Sequence, residues 1–94
     1  MDFKASYNKT TSRDEAYTIV KGHITPELIG KFKVKAKLDY RDSDKKIVAS
    51  GKGFELTLNF LESETQVDIK LSFLLKPLRG KIISGLEKEL LRVI

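Results

Sequence analysis

From Lys31 to Phe73 the apolar residues of this chain return at every second position in successive runs, and from Leu78 to Val93 the interval changes to that of an α-helix. This switch of period constrains the fold more than any other feature, because side chains alternate across a strand but return to one helix face every three to four residues. The clearest run sets Phe32, Val34, Ala36, Leu38 and Tyr40 against Lys31, Lys33, Lys35, Lys37 and Asp39. Arg41 to Lys45 is a polar turn cluster, and Lys46 to Ser50, with the β-branched Ile47 and Val48, completes a hairpin. Ser50-Gly51-Lys52-Gly53 can turn or bulge, and a turn is the preferred reading. Phe54, Leu56, Leu58 and Phe60 then alternate with Glu55, Thr57 and Asn59, and beyond Glu62-Ser63-Glu64 a last strand carries Val67, Ile69, Leu71 and Phe73. The expectation is four antiparallel strands in a meander.

The flanking segments supply one more strand and the helices. Phe3, Ala5 and Tyr7 alternate with Lys4, Ser6 and Asn8. Ser12 and Glu15 have capping-box spacing ahead of the stripe Ala16, Ile19 and Val20, with Gly22 as the expected stop. Thr25-Pro26 opens a second short helix that Gly30 closes. Pro77 is placed to open the last helix, whose stripe is Leu78, Ile82, Ile83, Leu86, Leu90 and Val93, while Lys81, Ser84, Lys88 and Arg92 fall opposite. Gly85 borders that stripe, which predicts a close approach of the helix backbone to the sheet. The predicted order is β-α-α-β-β-β-β-α, an α+β two-layer sandwich in which a curved antiparallel sheet of about five strands is covered by a long C-terminal helix.

Composition then narrows the function classes. A chain of 94 residues is expected to form one domain, residues 1–94. It has no cysteine, which excludes disulfides, thiolate metal sites and cysteine nucleophiles. No run approaches the ~20 apolar residues of a membrane-spanning helix, and the start lacks the apolar stretch of a secretory signal, so a cytoplasmic location is expected. Lys and Arg exceed Asp and Glu by 18 to 13, a formal charge of +5 that favours anionic partners.

Few residues suggest chemistry. His23 is the only histidine, and spacing provides it with no partner. Asp42-Ser43-Asp44 resembles a fragment of a calcium loop without its glycine and terminal glutamate, and reads as a turn. Ser50-Gly51-Lys52-Gly53 is too short for a phosphate loop and no helix follows it. No catalytic residue, metal ligand or cofactor is expected, and an enzyme is the weakest reading.

Residues 65–82, Thr65-Gln66-Val67-Asp68-Ile69-Lys70-Leu71-Ser72-Phe73-Leu74-Leu75-Lys76-Pro77-Leu78-Arg79-Gly80-Lys81-Ile82, resemble the strand-to-helix signature of the small polyhydroxyalkanoic acid system proteins. In that family a strand leads into an F-L-L-x-P-aromatic-basic-G-basic-I run; this chain departs at Leu78, where the family has an aromatic residue, and its first strand matches weakly. The element order is also similar to a shortened helix-grip or TATA-binding-protein-like architecture, an analogy of fold alone. The resemblance implies a protein encoded near genes of storage-polyester metabolism, without an established catalytic activity.

Two function classes follow. The first is a non-catalytic binding or accessory protein that meets an apolar partner, such as a storage granule, a lipid or a protein, through a rim of Phe73, Leu74, Leu75 and Leu91. The bland alternative is that Leu74 and Leu75 close one end of the core. An enclosed ligand cavity is disfavoured, because a domain this small depends on every packing contact. The second class uses Lys31, Lys33, Lys35 and Lys37 as an anion-binding face for nucleic acid or anionic membrane. Its alternative is a solvated face paired with Glu55, Asp68 and Asp39. A double-stranded-RNA-binding domain fits poorly, since the last helix here opens with Pro77-Leu78-Arg79-Gly80-Lys81 instead of a dense lysine cluster.

Overall fold

The computed structural model describes residues 2–94. Its elements are β1 (Phe3–Ser6), α1 (Arg13–His23), α2 (Pro26–Gly30), β2 (Lys37–Arg41), β3 (Lys46–Gly51), β4 (Phe54–Phe60), β5 (Glu64–Leu71), a 3-10 segment (Phe73–Leu78) and α3 (Arg79–Val93). The predicted order therefore stands, with two added turns of 3-10 helix before α3. Every strand pair is antiparallel and the sheet runs β1-β5-β4-β3-β2, open at both edges and not closed into a barrel.

Local chemistry explains the helix starts. The Ser12 hydroxyl accepts the Glu15 N–H at 3.2 Å, and the Glu15 carboxylate accepts the Thr11 N–H at 2.9 Å, one residue before the reciprocal partner a strict capping box would use. Thr25 caps α2 through the Leu28 N–H at 3.3 Å, with Pro26 at the first helical position. Gly22 does not stop α1 in a left-handed conformation; the helix continues to His23 and Ile24 closes it by donating to the Val20 carbonyl at 2.8 Å.

All helices lie on one side of the sheet. Ile47, Ala49, Leu56, Leu58, Val67 and Ile69 face them, and Ala16, Val20, Ile24, Ile29, Ile82, Leu86 and Leu90 meet those residues in one continuous buried cluster. The α3 stripe is divided as its period requires: Ile82, Leu86 and Leu90 are buried, while Leu78, Ile83 and Val93 flank them. Two anchors join the chain ends to this frame. The Ile94 carbonyl oxygen accepts the successive N–H groups of Asn8 and Lys9 at 2.7 Å and of Thr10 at 3.2 Å. The Tyr7 hydroxyl, just past β1, donates to the Leu61 carbonyl at 2.8 Å and also meets the Glu64 carbonyl at 3.0 Å.

Further sequence expectations need correction. The strand read from Lys31 begins only at Lys37; residues 31–33 continue α2 as a turn in which Lys31, Phe32 and Lys33 donate to the carbonyls of Leu28, Ile29 and Gly30. Lys33 then leaves at a left-handed φ of 68°. The last strand stops at Leu71, short of Phe73, and Pro77 lies inside the 3-10 segment instead of opening α3. Gly85 does admit a close approach, but from the Phe32 ring and not from a strand. The open choice at 50–53 resolves as a turn: Gly51 pairs with Phe54 across Lys52-Gly53, and Gly53 has a φ of 74°, which a glycine adopts without strain.

Candidate functional site

The face of the sheet away from the helices is polar and nearly neutral. Lys37, Asp39 and Arg41 of β2, Lys46 of β3, Glu55 of β4, Glu64, Asp68 and Lys70 of β5 and Lys4 of β1 share it, five cations among four acids. Such a face has no strong field of one sign.

The end of the sheet where β5 leads into α3 is different. A 3-10 helix repeats every three residues, so its side chains stand in three rows. One row is Leu75 and Leu78, both packed against the core. The second is Phe73 with Lys76 and the third is Leu74 with Pro77, and both rows face water. Phe73 is 85% exposed and Leu74 84%, far more than Leu91 at 51%. The segment is held rigidly: Leu75 and Lys76 donate to the Ser72 carbonyl at 3.0 and 3.1 Å, and Ser72 donates to the Gly53 carbonyl at 2.8 Å.

Cations are frequent in the chain on both sides of this pair. A cleft of about 550 Å³ beside it is lined by Ile69, Lys70, Leu71, Lys76 and Arg79. Residues 70–81 contain Lys70, Lys76, Arg79 and Lys81 and no acid, and α3 has no acidic residue in its first turn. Lys52 adjoins from the β3–β4 turn, whose Gly53 lies against Ser72. Among the described residues no ion pair holds Lys52, Lys70, Lys76 or Lys81, whereas Arg79 is bound to Asp2. The Arg79 guanidinium, followed by the Ile69 N–H that the Asp2 carboxylate accepts at 2.6 Å, holds the Asp2 carboxyl below the usual carboxylate range. Arg79 thus has a structural bond to keep, and the lysines are free to meet an anion.

The sequence-derived candidates are placed as follows. Phe73 and Leu74 come together at the tip, and Leu75 turns inward. Leu91 lies twelve residues beyond the start of α3, ~18 Å along the helix axis at 1.5 Å per residue, and joins no patch with them. Lys31, Lys33 and Lys35 occupy the connection from α2 to β2, and only Lys37 belongs to a strand, where it stands opposite Ser50. All four are exposed. The sequence alone does not bring Lys70, Lys76 and Arg79 to one cleft; the signal for it is the period of three that Leu75 and Leu78 share, whereas the expectation places Leu75 in the apolar rim and Leu78 in the helix stripe.

Two smaller clusters are structural. His23 Nδ1 lies 3.2 Å from a Glu89 carboxylate oxygen that Arg92 also meets at 2.5 Å, which fastens α1 to α3. The Tyr17 hydroxyl donates to Asp42 at 2.6 Å and Lys21 reaches the same oxygen at 2.9 Å, so the turn read from Asp42 to Asp44 is tied to α1. No group of three or more His, Cys, Asp or Glu that could hold a metal ion occurs among the described residues, nor is any helix there long and apolar enough to cross a membrane.

Fold and site together define an α+β protein with an open, helix-backed antiparallel sheet and an exposed apolar turn. Comparison with known families then gives the family: residues 9–94 match the model described as that of polyhydroxyalkanoic acid system proteins, so the chain belongs to that family. A search of curated proteins and a search of solved structures each return no match, and the helix-grip analogy therefore has no solved structure behind it.

Proposed function

We propose that this protein is a non-catalytic accessory factor that attaches to the surface of polyhydroxyalkanoate storage granules, with Phe73 and Leu74 as the pair that enters it. The observation that carries this reading is the exposure of two adjacent large apolar side chains, at 85% and 84%, on a turn whose other row is packed into the core. Burying one such side chain is worth about 1.5–3 kcal/mol, and leaving two adjacent ones in water forgoes that gain, which points to a use for their exposure. The polymer is an aliphatic polyester, and its surface offers apolar contact without a shaped pocket. Family membership supports a partner of this kind, and the hydrogen-bonded turn offers a means of meeting it without unfolding.

The test is cosedimentation with poly(3-hydroxybutyrate) particles. The wild-type protein is expected in the pellet, and Phe73→Ser/Leu74→Ser in the supernatant with an unchanged thermal melt. Equal retention of both proteins would overturn the reading.

A further inference from the structure

We propose that the surface this tip meets is anionic: a layer of phospholipid whose phosphate groups sit against Lys70 and Lys76 while Phe73 and Leu74 enter the acyl region. This rests on the reading of Phe73 and Leu74 as the inserted pair and adds the chemistry of what surrounds them.

Charge and geometry argue for it together. The 3-10 period puts Lys76 in the same row as Phe73, so a plane that receives the ring also receives the ammonium group. Lys70 and Lys76 both line the cleft near that row, with Arg79 and the aliphatic Ile69 and Leu71 as its other walls. The nearby acids are Asp2, which is engaged by Arg79, Glu55, which stands opposite Lys70 in the β4–β5 register, and Asp68, which lines a second cleft together with Asp2, Glu55 and Lys70. Against these three stand Lys52, Lys70, Lys76, Arg79 and Lys81, a larger excess of cations than the sheet face as a whole has. A bare polyester presents only neutral ester groups, which leaves this excess unused. A nucleic acid offers phosphates but leaves Leu74 in water. A phospholipid layer satisfies both, since clustered lysines attract an anionic leaflet while apolar side chains gain by insertion.

The experiment uses the whole protein with three kinds of particle: vesicles of phosphatidylcholine, vesicles of phosphatidylcholine with about one-third phosphatidylglycerol, and lipid-free polyester. Each cation near an anionic leaflet contributes roughly fivefold in affinity, so Lys70→Gln/Lys76→Gln is expected to lose about 25-fold on the anionic vesicles. The same variant should keep wild-type binding to neutral vesicles and to polyester, and added salt should abolish the preference it lacks. Phe73→Ser/Leu74→Ser should lose all three particles. Equal wild-type affinity for neutral and anionic vesicles overturns the inference and leaves polyester attachment standing. An anionic preference retained by the lysine variant moves the contact elsewhere and also overturns it. Displacement of wild-type protein from anionic vesicles by duplex RNA at equal phosphate overturns it in favour of nucleic acid. Failure of the wild type on polyester, with anionic binding intact, sinks the granule reading alone.

Discussion

The ring of Phe32 lies in a notch that Gly85 leaves in α3: a Cβ on that glycine would fall 2.4 Å from Cε1 and 2.8 Å from Cζ of the ring. Alanine is the better helix former by about 1 kcal/mol, so propensity alone would make Gly85→Ala stabilising. Displacing a packed ring costs about 1–3 kcal/mol, which outweighs the gain. Gly85→Ala is therefore expected to melt below the wild type, and Phe32→Leu, which replaces the ring by a shorter aliphatic side chain without Cε1 and Cζ, to absorb most of that loss in the double variant. A raised melting temperature for Gly85→Ala would show that the ring moves freely and that the notch is incidental.

Leu86 and Leu91 test the two faces of α3. Leu86 is fully buried at the middle of the stripe, and Leu86→Ala should cost about 2–5 kcal/mol, a large share of the net stability of a small domain. Leu91 is half exposed, and Leu91→Ala should stay within about 0.5 kcal/mol. Urea melts of the two variants decide the point; equal midpoints would place Leu91 in the core.

Inside the run Phe73-Leu74-Leu75 the three apolar residues should separate by stability as well as by binding. Serine at Phe73 or Leu74 should leave the melt unchanged, since each is already in water. Leu75→Ser removes a side chain packed on the core and should cost about 1–2 kcal/mol. Uniform destabilisation across the three would mean that the turn is not fixed by the Leu75 and Leu78 row.

The hydrogen bond from Tyr17 to Asp42 should be legible at both ends of the pH scale. Burial first, and then that hydrogen bond, raises the Tyr17 phenol above its ordinary value of 10.0, so the folded state prefers the protonated form. The associated stability is complete below pH 10 and is lost as the unfolded chain, and then the folded one, gives up the proton. At Asp42 the hydrogen bond from Tyr17 and the contact with Lys21 lower the carboxyl below 3.8, so its contribution is present above that pH and disappears as pH falls further. Tyr17→Phe should flatten the alkaline decline of the melting temperature and shrink the acid one, where Lys21 still acts. An alkaline limb identical to that of the wild type would assign it to Tyr7 and Tyr40, whose phenols burial also raises.

The sheet was readable wherever alternation coincided with pairing. β4 and β5 carry apolar residues at every second position because one face meets helices and the other water, and both strands were found to within a few residues. The stretch Lys31 to Ala36 has the same alternation for another reason. Phe32 and Val34 are buried as side chains of an irregular connection, with Phe32 held by Gly85, and the backbone there forms no ladder. Periodicity reports which side chains are buried, and is silent on whether the backbone pairs. That is why the four lysines, read as a strand face, stand mainly on a loop. The apolar pair of the tip was visible in the sequence, but its lysine neighbours depend on a three-residue period only six residues long. The pairing of β1 with β5 has no local signal, since register between Phe3 and Val67 is set by tertiary packing.

That pairing has a consequence for synthesis. Among the described residues β1 pairs only with a segment translated some sixty residues later, and the Asn8 to Thr10 amides donate to Ile94. On the ribosome, β2 to β4 can zip together as successive hairpins while Phe3 and Ala5 remain unsheltered. Strand β1 must therefore close the sheet late, a non-local step of the kind that slows folding and leaves an edge open to a chaperone in the meantime.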